Sequence, residues 1–398
     1  LMLQAPKPLI VLTQESDYFD QRGALDMYDR LKRLWKLLGA EDNVEFFTGP
    51  RPHGYWIENR EAMYGFFNKH AGVRAPKKEP AIEIEEQPTL WCTASGQVDE
   101  LKPATVHDFV RERSRELSEK RGEVSGDDLL RAAKKLLDLP KRDGPPEYRV
   151  LRPVSGREWP RAAAASYVLE TELEHGGRCL VYKLDDAARA SRPLPGKGPA
   201  TLYLPDLSSD AELRDDSFAR KLAADDAFFA CDYRGIGEQI PNTCGGNRFA
   251  DIYGSDYFYA SYAEMFGQSY LSWRVHDVLC ALDFMTEYGY DRVHLAGAGR
   301  GGLVAAFAGL LDERVRRVTL KGVPISYAEL AETRMNQWTQ SSMLPDVLGS
   351  FDLPDVYRAL YAKKLSIVGP VSAELRRITR KTALARLKSA GLKPSVLG

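Results

Sequence analysis

The chain has 398 residues, 44% of them hydrophobic, with 55 Lys and Arg set against 56 Asp and Glu. That length suits two domains, and the apolar fraction supports a sizeable core. The cancelling charge argues against nucleic acid or an anionic membrane as the main partner, and no apolar run is long enough to span a bilayer.

Five cysteines (Cys92, Cys179, Cys231, Cys244, Cys280) are an odd number with no Cys-x-x-Cys spacing, so neither a zinc site nor a disulfide framework is signalled. No secretory leader is legible at Leu1. The first residue is not Met and a strand follows almost at once, which places the expected natural start upstream.

Residues 1–72 read as the C-terminal part of an α/β domain. The run at 8–13 is a buried strand, and Asp17 follows its end. Residues 27–38 are an amphipathic helix with Leu31, Leu34, Trp35 and Leu38 on one face. Residues 44–47 are the next strand, His53 lies in the loop after it, and 59–70 are a closing helix. An acid after one strand and a histidine after the next is the order in which a serine hydrolase places its acid and base. The histidine takes the proton of the nucleophile, and the carboxylate fixes its tautomer. The plainer alternative makes His53 a loop residue and Asp17 a helix-start residue. Asp20 is the fallback acid, and His70 suits the negative end of a helix.

Residues 73–146 read as a charged, partly helical connector. A short strand is expected at 90–93 and helices at 105–121 and 125–137, packing through Val106, Phe109, Leu129 and Leu136. Residues 147–398 read as a second α/β domain, with strands alternating with helices in a mostly parallel, doubly wound sheet. Two strands are expected within 165–184, joined at the turn His175-Gly-Gly177. Further strands are expected at 200–204, 227–231, 315–320 and 365–368. Helices are expected at 217–224, 272–288 and near 375–390.

Within this domain, residues 293–311 read as strand, turn and helix. The turn is Gly297-Ala298-Gly299-Arg300-Gly301-Gly302. This is the setting of a G-x-S-x-G nucleophile elbow, with Gly299 where the nucleophile belongs. Glycine there relieves the strain that an elbow residue carries. A phosphate-binding G-x-G-x-x-G also fits formally from Gly297 to Gly302, but no acidic residue ends a following strand about twenty residues on. A repeat links the two ends of the chain: residues 5–11 and 362–368 share a pattern, and in register Asp17 falls on Glu374.

Several stretches together resemble the acetyl xylan esterase and cephalosporin-C deacetylase-like branch of the α/β-hydrolases, related to prolyl oligopeptidase-like esterases. They are Ala5-Pro-Lys-Pro-Leu with Asp17, Pro52-His53-Gly54-Tyr55 before a helix carrying Arg60 and Tyr64, Asp232-Tyr-Arg-Gly-Ile-Gly, and Trp273-Arg-Val-His-Asp277 ahead of the elbow. The resemblance implies an α/β-hydrolase fold, present as a partial first copy and a nearly complete second. It implies a serine hydrolase acting on small-molecule or carbohydrate esters without a cofactor, and a secreted or periplasmic setting. Carried over, Asp17 and His53 match the acid and base. Gly297, Gly299, Arg300 and Gly301 form a degenerate elbow, with Arg300 as oxyanion N–H donor, and Glu374 holds a degenerate acid position. The second copy is then catalytically silent. A non-catalytic binding or scaffolding module is the alternative, with the aromatic cluster Tyr253, Tyr257, Phe258, Tyr259, Tyr262 and Phe266 suited to sugar stacking or a lid.

Overall fold

A computed structural model describes residues 1–172, 174, 176–193, 195–196, 198–224, 227–241 and 254–398. His175, Cys244 and Tyr253, singled out above, lie outside the described residues. The chain divides into two compact units, Leu1–Pro103 and Ala104–Gly398.

The first unit is built on two parallel strands, β1 (Leu9–Ser16) and β2 (Val44–Pro52), joined by helix α1 (Gln21–Leu37) and followed by α2 (Ile57–Ala71). Parallel neighbours need such a crossover because the second strand must start again at the same end. Asp20 caps α1 by accepting the Arg22 N–H. The helix buries Leu31 and Trp35 against Val44, and the Trp35 indole N–H donates to the Lys7 carbonyl at 3.0 Å. At residues 90–93, where a strand is expected, the chain instead closes a single helical turn, Gln87–Leu90, and Trp91 and Cys92 stay exposed. A strand at this point has no neighbour to pair with.

The second unit opens with helices α3 (Val106–Arg121) and α4 (Gly126–Leu137). Leu129, Ala133 and Leu137 of α4 enter the main core. Val106 and Phe109 stay exposed, contrary to expectation. A capping box between Thr105 and Asp108 fixes the first turn of α3, and its inward edge is polar: Ser114 is buried and Arg115 pairs with Glu332 at 2.9 Å.

Nine strands form the sheet of this unit: β3 (Tyr148–Val150), β4 (Val154–Ser155), β5 (Ala163–Glu172), β6 (Gly177–Asp185), β7 (Pro199–Leu204), β8 (Ala227–Asp232), β9 (Arg292–Ala298), β10 (Val315–Lys321) and β11 (Ser366–Val368). Their order is β11-β10-β9-β7-β8-β6-β5-β3, with β4 pairing β5. The five strands from β11 to β8 are parallel, and β6, β5 and β3 add as antiparallel neighbours. Central strands are apolar on both sides, as in Leu202-Tyr-Leu204 and Phe228-Phe-Ala-Cys231, because helices cover both faces.

Those helices include α5 (Ser209–Asp215), α6 (Ser217–Leu222), α7 (Gly254–Met265), α8 (Tyr270–Glu287), α9 (Gly299–Leu311), α10 (Tyr327–Glu332), α11 (Leu353–Ala359) and α12 (Arg380–Ser389). Helix α9 begins at Gly299, earlier than its apolar run suggests. Its first turn is therefore the glycine turn itself, and Gly301 to Gly309 are all buried.

Candidate functional site

In the first unit, Ser16 pairs with Pro52 across the parallel ladder. The next residue on each strand, Asp17 and His53, therefore leaves the sheet side by side. The Asp17 carboxylate lies 3.0 and 3.1 Å from His53 Nδ1 and accepts the Phe19 N–H at 3.0 Å. The Phe19 N–H and then His53 hold the Asp17 carboxyl below its ordinary range. An ionised carboxylate can only accept, so Nδ1 carries the proton and Nε2 presents its lone pair. The Tyr18 hydroxyl lies 3.2 Å from Nε2, and its ring sits 4.3 Å from the imidazole. The imidazole itself is half exposed.

The loop that carries His53 is tied down by two polar residues that the sequence pattern does not single out. Gln14 is buried in β1. It donates to the Gly54 carbonyl at 2.9 Å and to Asn59 Oδ1 at 2.5 Å, and it accepts the Arg51 N–H. Asn59, near the start of α2, donates to the Thr13 carbonyl at 3.1 Å. Asp20 stays with Arg22 as a helix cap, and His70 lies tilted against the Phe66 ring, 4.5 Å away, in the last turn of α2.

In the second unit, the chain passes from β9, in the middle of the sheet, through Gly299 at φ +51° directly into α9. A Cβ on Gly297 would meet the Gly301 carbonyl at 2.3 Å, so strand and helix approach as closely as backbones can. A left-handed residue between a central parallel strand and a buried helix is the backbone form of a nucleophile elbow. The second unit has an α/β-hydrolase-like fold.

In such a hydrolase the oxyanion is held by the N–H after the nucleophile and by one from the loop that follows an earlier central strand. Here carboxylates take both. The Arg300 N–H donates to Asp206 Oδ1 at 2.9 Å, and Arg300 Nε donates to the same oxygen at 3.1 Å. The N–H groups of Asp206 and Leu207, just after β7, donate to Glu212 Oε1 at 2.8 and 2.9 Å. Burial pushes the Glu212 carboxyl up, against the bonds it accepts. A Cβ on Gly299 would lie 2.4 Å from Asp206 Oδ1. The Asp206 carboxylate thus fills the space of a nucleophile's side chain and takes the hydrogen bond of its oxyanion.

That same contact meets the phosphate reading. The anion at this helix start comes from the chain itself, and the Cβ position of Gly301 abuts the Leu204 and Pro205 carbonyls rather than open space. The crevice above the elbow has a volume of about 900 Å³ and none of its lining residues is a histidine. Glu374 pairs with Arg376 at 3.3 Å and does not line it. His294 sits in β9 with Nε2 2.8 Å from Thr319 Oγ1, and His276 is buried against the Thr171 carbonyl. The structure therefore brings Asp17 and His53 together, while the crevice at the elbow is lined by the carboxylates Asp206, Glu212 and Asp216 and, among the described residues, by no histidine.

The two remaining stretches that resemble the esterases meet in one buried ion cluster. Arg234 pairs with Asp277 at 2.6 Å and with Glu172 at 2.5 Å. Asp232 accepts the N–H groups of Ser209 and Glu238 at 2.8 and 3.0 Å. These bonds brace the loops around the sheet.

No protein-family model matches the chain, and no curated protein matches it. Among solved structures, a candidate acetyl xylan esterase from Bacteroides fragilis shares 16% identity over 77% of this chain and 81% of its own, with a TM-score of 0.45. Acetyl xylan esterase 1 from Thermoanaerobacterium shares 18% over 64% and 81%, with a TM-score of 0.39. A glucuronoyl esterase from Solibacter usitatus shares 15% over 60% and 73%, with a TM-score of 0.38. Likeness at this level has no bearing on function, and the α/β-hydrolase-like assignment rests on the sheet and the elbow. Among the described residues, no helix is long and apolar enough to cross a membrane.

Proposed function

We propose that this chain is part of a serine carboxylic-ester hydrolase of the acetyl-ester or carbohydrate-ester kind. In this reading Asp17 and His53 are its acid and base, and the second unit is a catalytically silent copy of the fold. The observation that carries it is the Asp17–His53 pair, which turns Nε2 away from the carboxylate to meet the Tyr18 hydroxyl at 3.2 Å. The reading requires a serine beyond the described contacts of His53, whose Nε2 meets the Tyr18 hydroxyl. The serine hydroxyl proton passes to Nε2 as its oxygen bonds the ester carbonyl carbon. The imidazolium returns that proton to the leaving alkoxide, and water repeats the cycle on the acyl-enzyme. Asp17 stabilises the imidazolium throughout. The silence of the second unit is supported by Asp206 and Glu212, which consume the N–H groups an oxyanion needs.

His53→Ala in the protein as made in its native cell should lower ester hydrolysis by roughly four to six orders of magnitude. Retained activity contradicts the assignment.

A second reading is favoured by one observation: above the closed elbow, the crevice is still about 900 Å³. As a binding module the second unit would hold a glycan there. Calorimetric titration of the chain with neutral xylan oligosaccharides tests this, and the absence of heat removes it.

A further inference from the structure

The last stretch of the chain breaks the charge balance of the whole. Residues 375–398 hold Arg376, Arg377, Arg380, Lys381, Arg386, Lys388 and Lys393, and no Asp or Glu. Two of these cations have carboxylate partners: Arg376 pairs with Glu374 and Arg386 with Glu329. Among the described residues, Arg377, Arg380, Lys381 and Lys388 have none, and all four are exposed. Lys393 instead lies over the Tyr361 ring at 5.3 Å.

Helix geometry gathers these charges. Helix α12 buries Ala383 and Leu387. Lys381 and Lys388, seven residues apart, fall together away from that face, while Arg380 starts the helix at the edge of the buried face. Arg380 and Lys381 also occupy the first turn of α12, where the helix dipole disfavours cations. Thr379 caps that turn, yet no acidic residue lies in it. The cluster therefore stands at a local electrostatic cost that, among the described residues, no carboxylate pairing of Arg380, Lys381 or Lys388 offsets. It adjoins the elbow crevice, because Arg377 is part of the crevice wall.

We propose that α12 and the turn before it are a docking surface for an acidic polysaccharide, a chain bearing repeated carboxylates, which runs across Arg380, Lys381 and Lys388 toward the crevice. Charge complementarity with α12 sets the sign of the partner, while the crevice itself is balanced, with Arg300, Lys321 and Arg377 against Asp206, Glu212 and Asp216. The crevice disfavours single-stranded nucleic acid. Its aromatic rings do not offer a stacking face: Trp338 is 8% exposed, and Phe218 lies under Lys321 Nζ at 5.3 Å. Single-stranded nucleic acid needs such faces for its bases. The crevice mouth instead presents the exposed Gln337 and Thr339, which suit hydroxyl groups. The inference rests on the second reading above and names its ligand class.

The test is retention of the full chain on immobilised polygalacturonate. It is run at about 20 mM salt, where charge interactions reach over roughly 20 Å, and again at about 0.5 M, where they are screened within a few ångströms. The wild type should be held at low salt and released at high salt. Arg380→Glu with Lys381→Glu, and Lys388→Glu alone as an independent variant, should weaken retention, the double by about tenfold. The charge-matched control Lys134→Glu with Lys135→Glu on α4 should leave it within about twofold. No retention of the wild type, or equal loss in the control, overturns the proposal. Tighter binding of double-stranded DNA through the same residues also overturns it, by assigning another partner class. Heat with neutral xylan oligosaccharides that survives Arg380→Glu with Lys381→Glu, without polygalacturonate retention, keeps the binding reading and discards this one.

Discussion

At Gly299 a single missing side chain and one carboxylate decide what the elbow can do. Replacing Gly299 with serine restores the motif on paper. In the fold it puts a Cβ 2.4 Å from Asp206 Oδ1 at a backbone angle of φ +51°. Gly299→Ser alone is therefore expected to add no hydrolysis and to destabilise the second unit by about 1–3 kcal/mol, read by denaturant unfolding. Adding Asp206→Gly should recover part of that loss by removing the clash. If Gly299→Ser alone hydrolyses a nitrophenyl ester, Asp206 does not close the site. His294 offers a second residue-scale prediction. Burial first, and Arg317 after it, hold its imidazole down to about 4, against an ordinary value near 6.5. The folded chain resists a proton that the unfolded chain accepts. Stability at this residue is thus complete above pH 6.5 and falls as pH drops toward 4. His294→Gln should flatten the stability–pH curve of the second unit across that window. An unchanged slope contradicts the assignment of His294 as a buried neutral residue.

Among the elements, the first unit leans on few apolar contacts. Its buried cluster is Leu31, Trp35 and Val44, so α1 is held to the strands mainly by Trp35. Trp35→Ala should cost about 3–5 kcal/mol and release the turn that carries Asp17, seen as loss of the slow amide exchange of β1. The elements that position the dyad were open to reading from the sequence. Alternating and continuous apolar runs mark β1, β2, β7, β8 and β9, and a 3.6-residue period marks α1. Asp17 and His53 were legible because each follows a strand end. What the sequence hid depends on contacts across the chain. Asp206 sits in an ordinary-looking Pro-Asp turn 94 residues from Arg300, and no periodicity joins them. Gln14 and Asn59 are polar residues whose roles arise only when strand and helix meet. Val106 and Phe109 look inward on a helical wheel and point outward, because α3 meets its neighbour through Ser114 and Arg115. The start of α12 at Arg380 rather than near 375 follows from the turn at Leu375, held at φ +57°.

Over the whole molecule, the Asp17–His53 pair lies in one compact unit and the glycine turn at Gly299 in the other. In the proposed reading the first unit supplies acid and base and the second carries an elbow whose N–H groups are taken by carboxylates. The proposal assigns any hydrolysis to His53 and none to Gly299. The direct measurement is ester hydrolysis by the native protein in three forms: wild type, His53→Ala and Asp206→Asn. Hydrolysis should vanish in His53→Ala and persist in Asp206→Asn. Full activity in His53→Ala, or its loss on altering Asp206 alone, would place the chemistry in the second unit and contradict the division of roles drawn here.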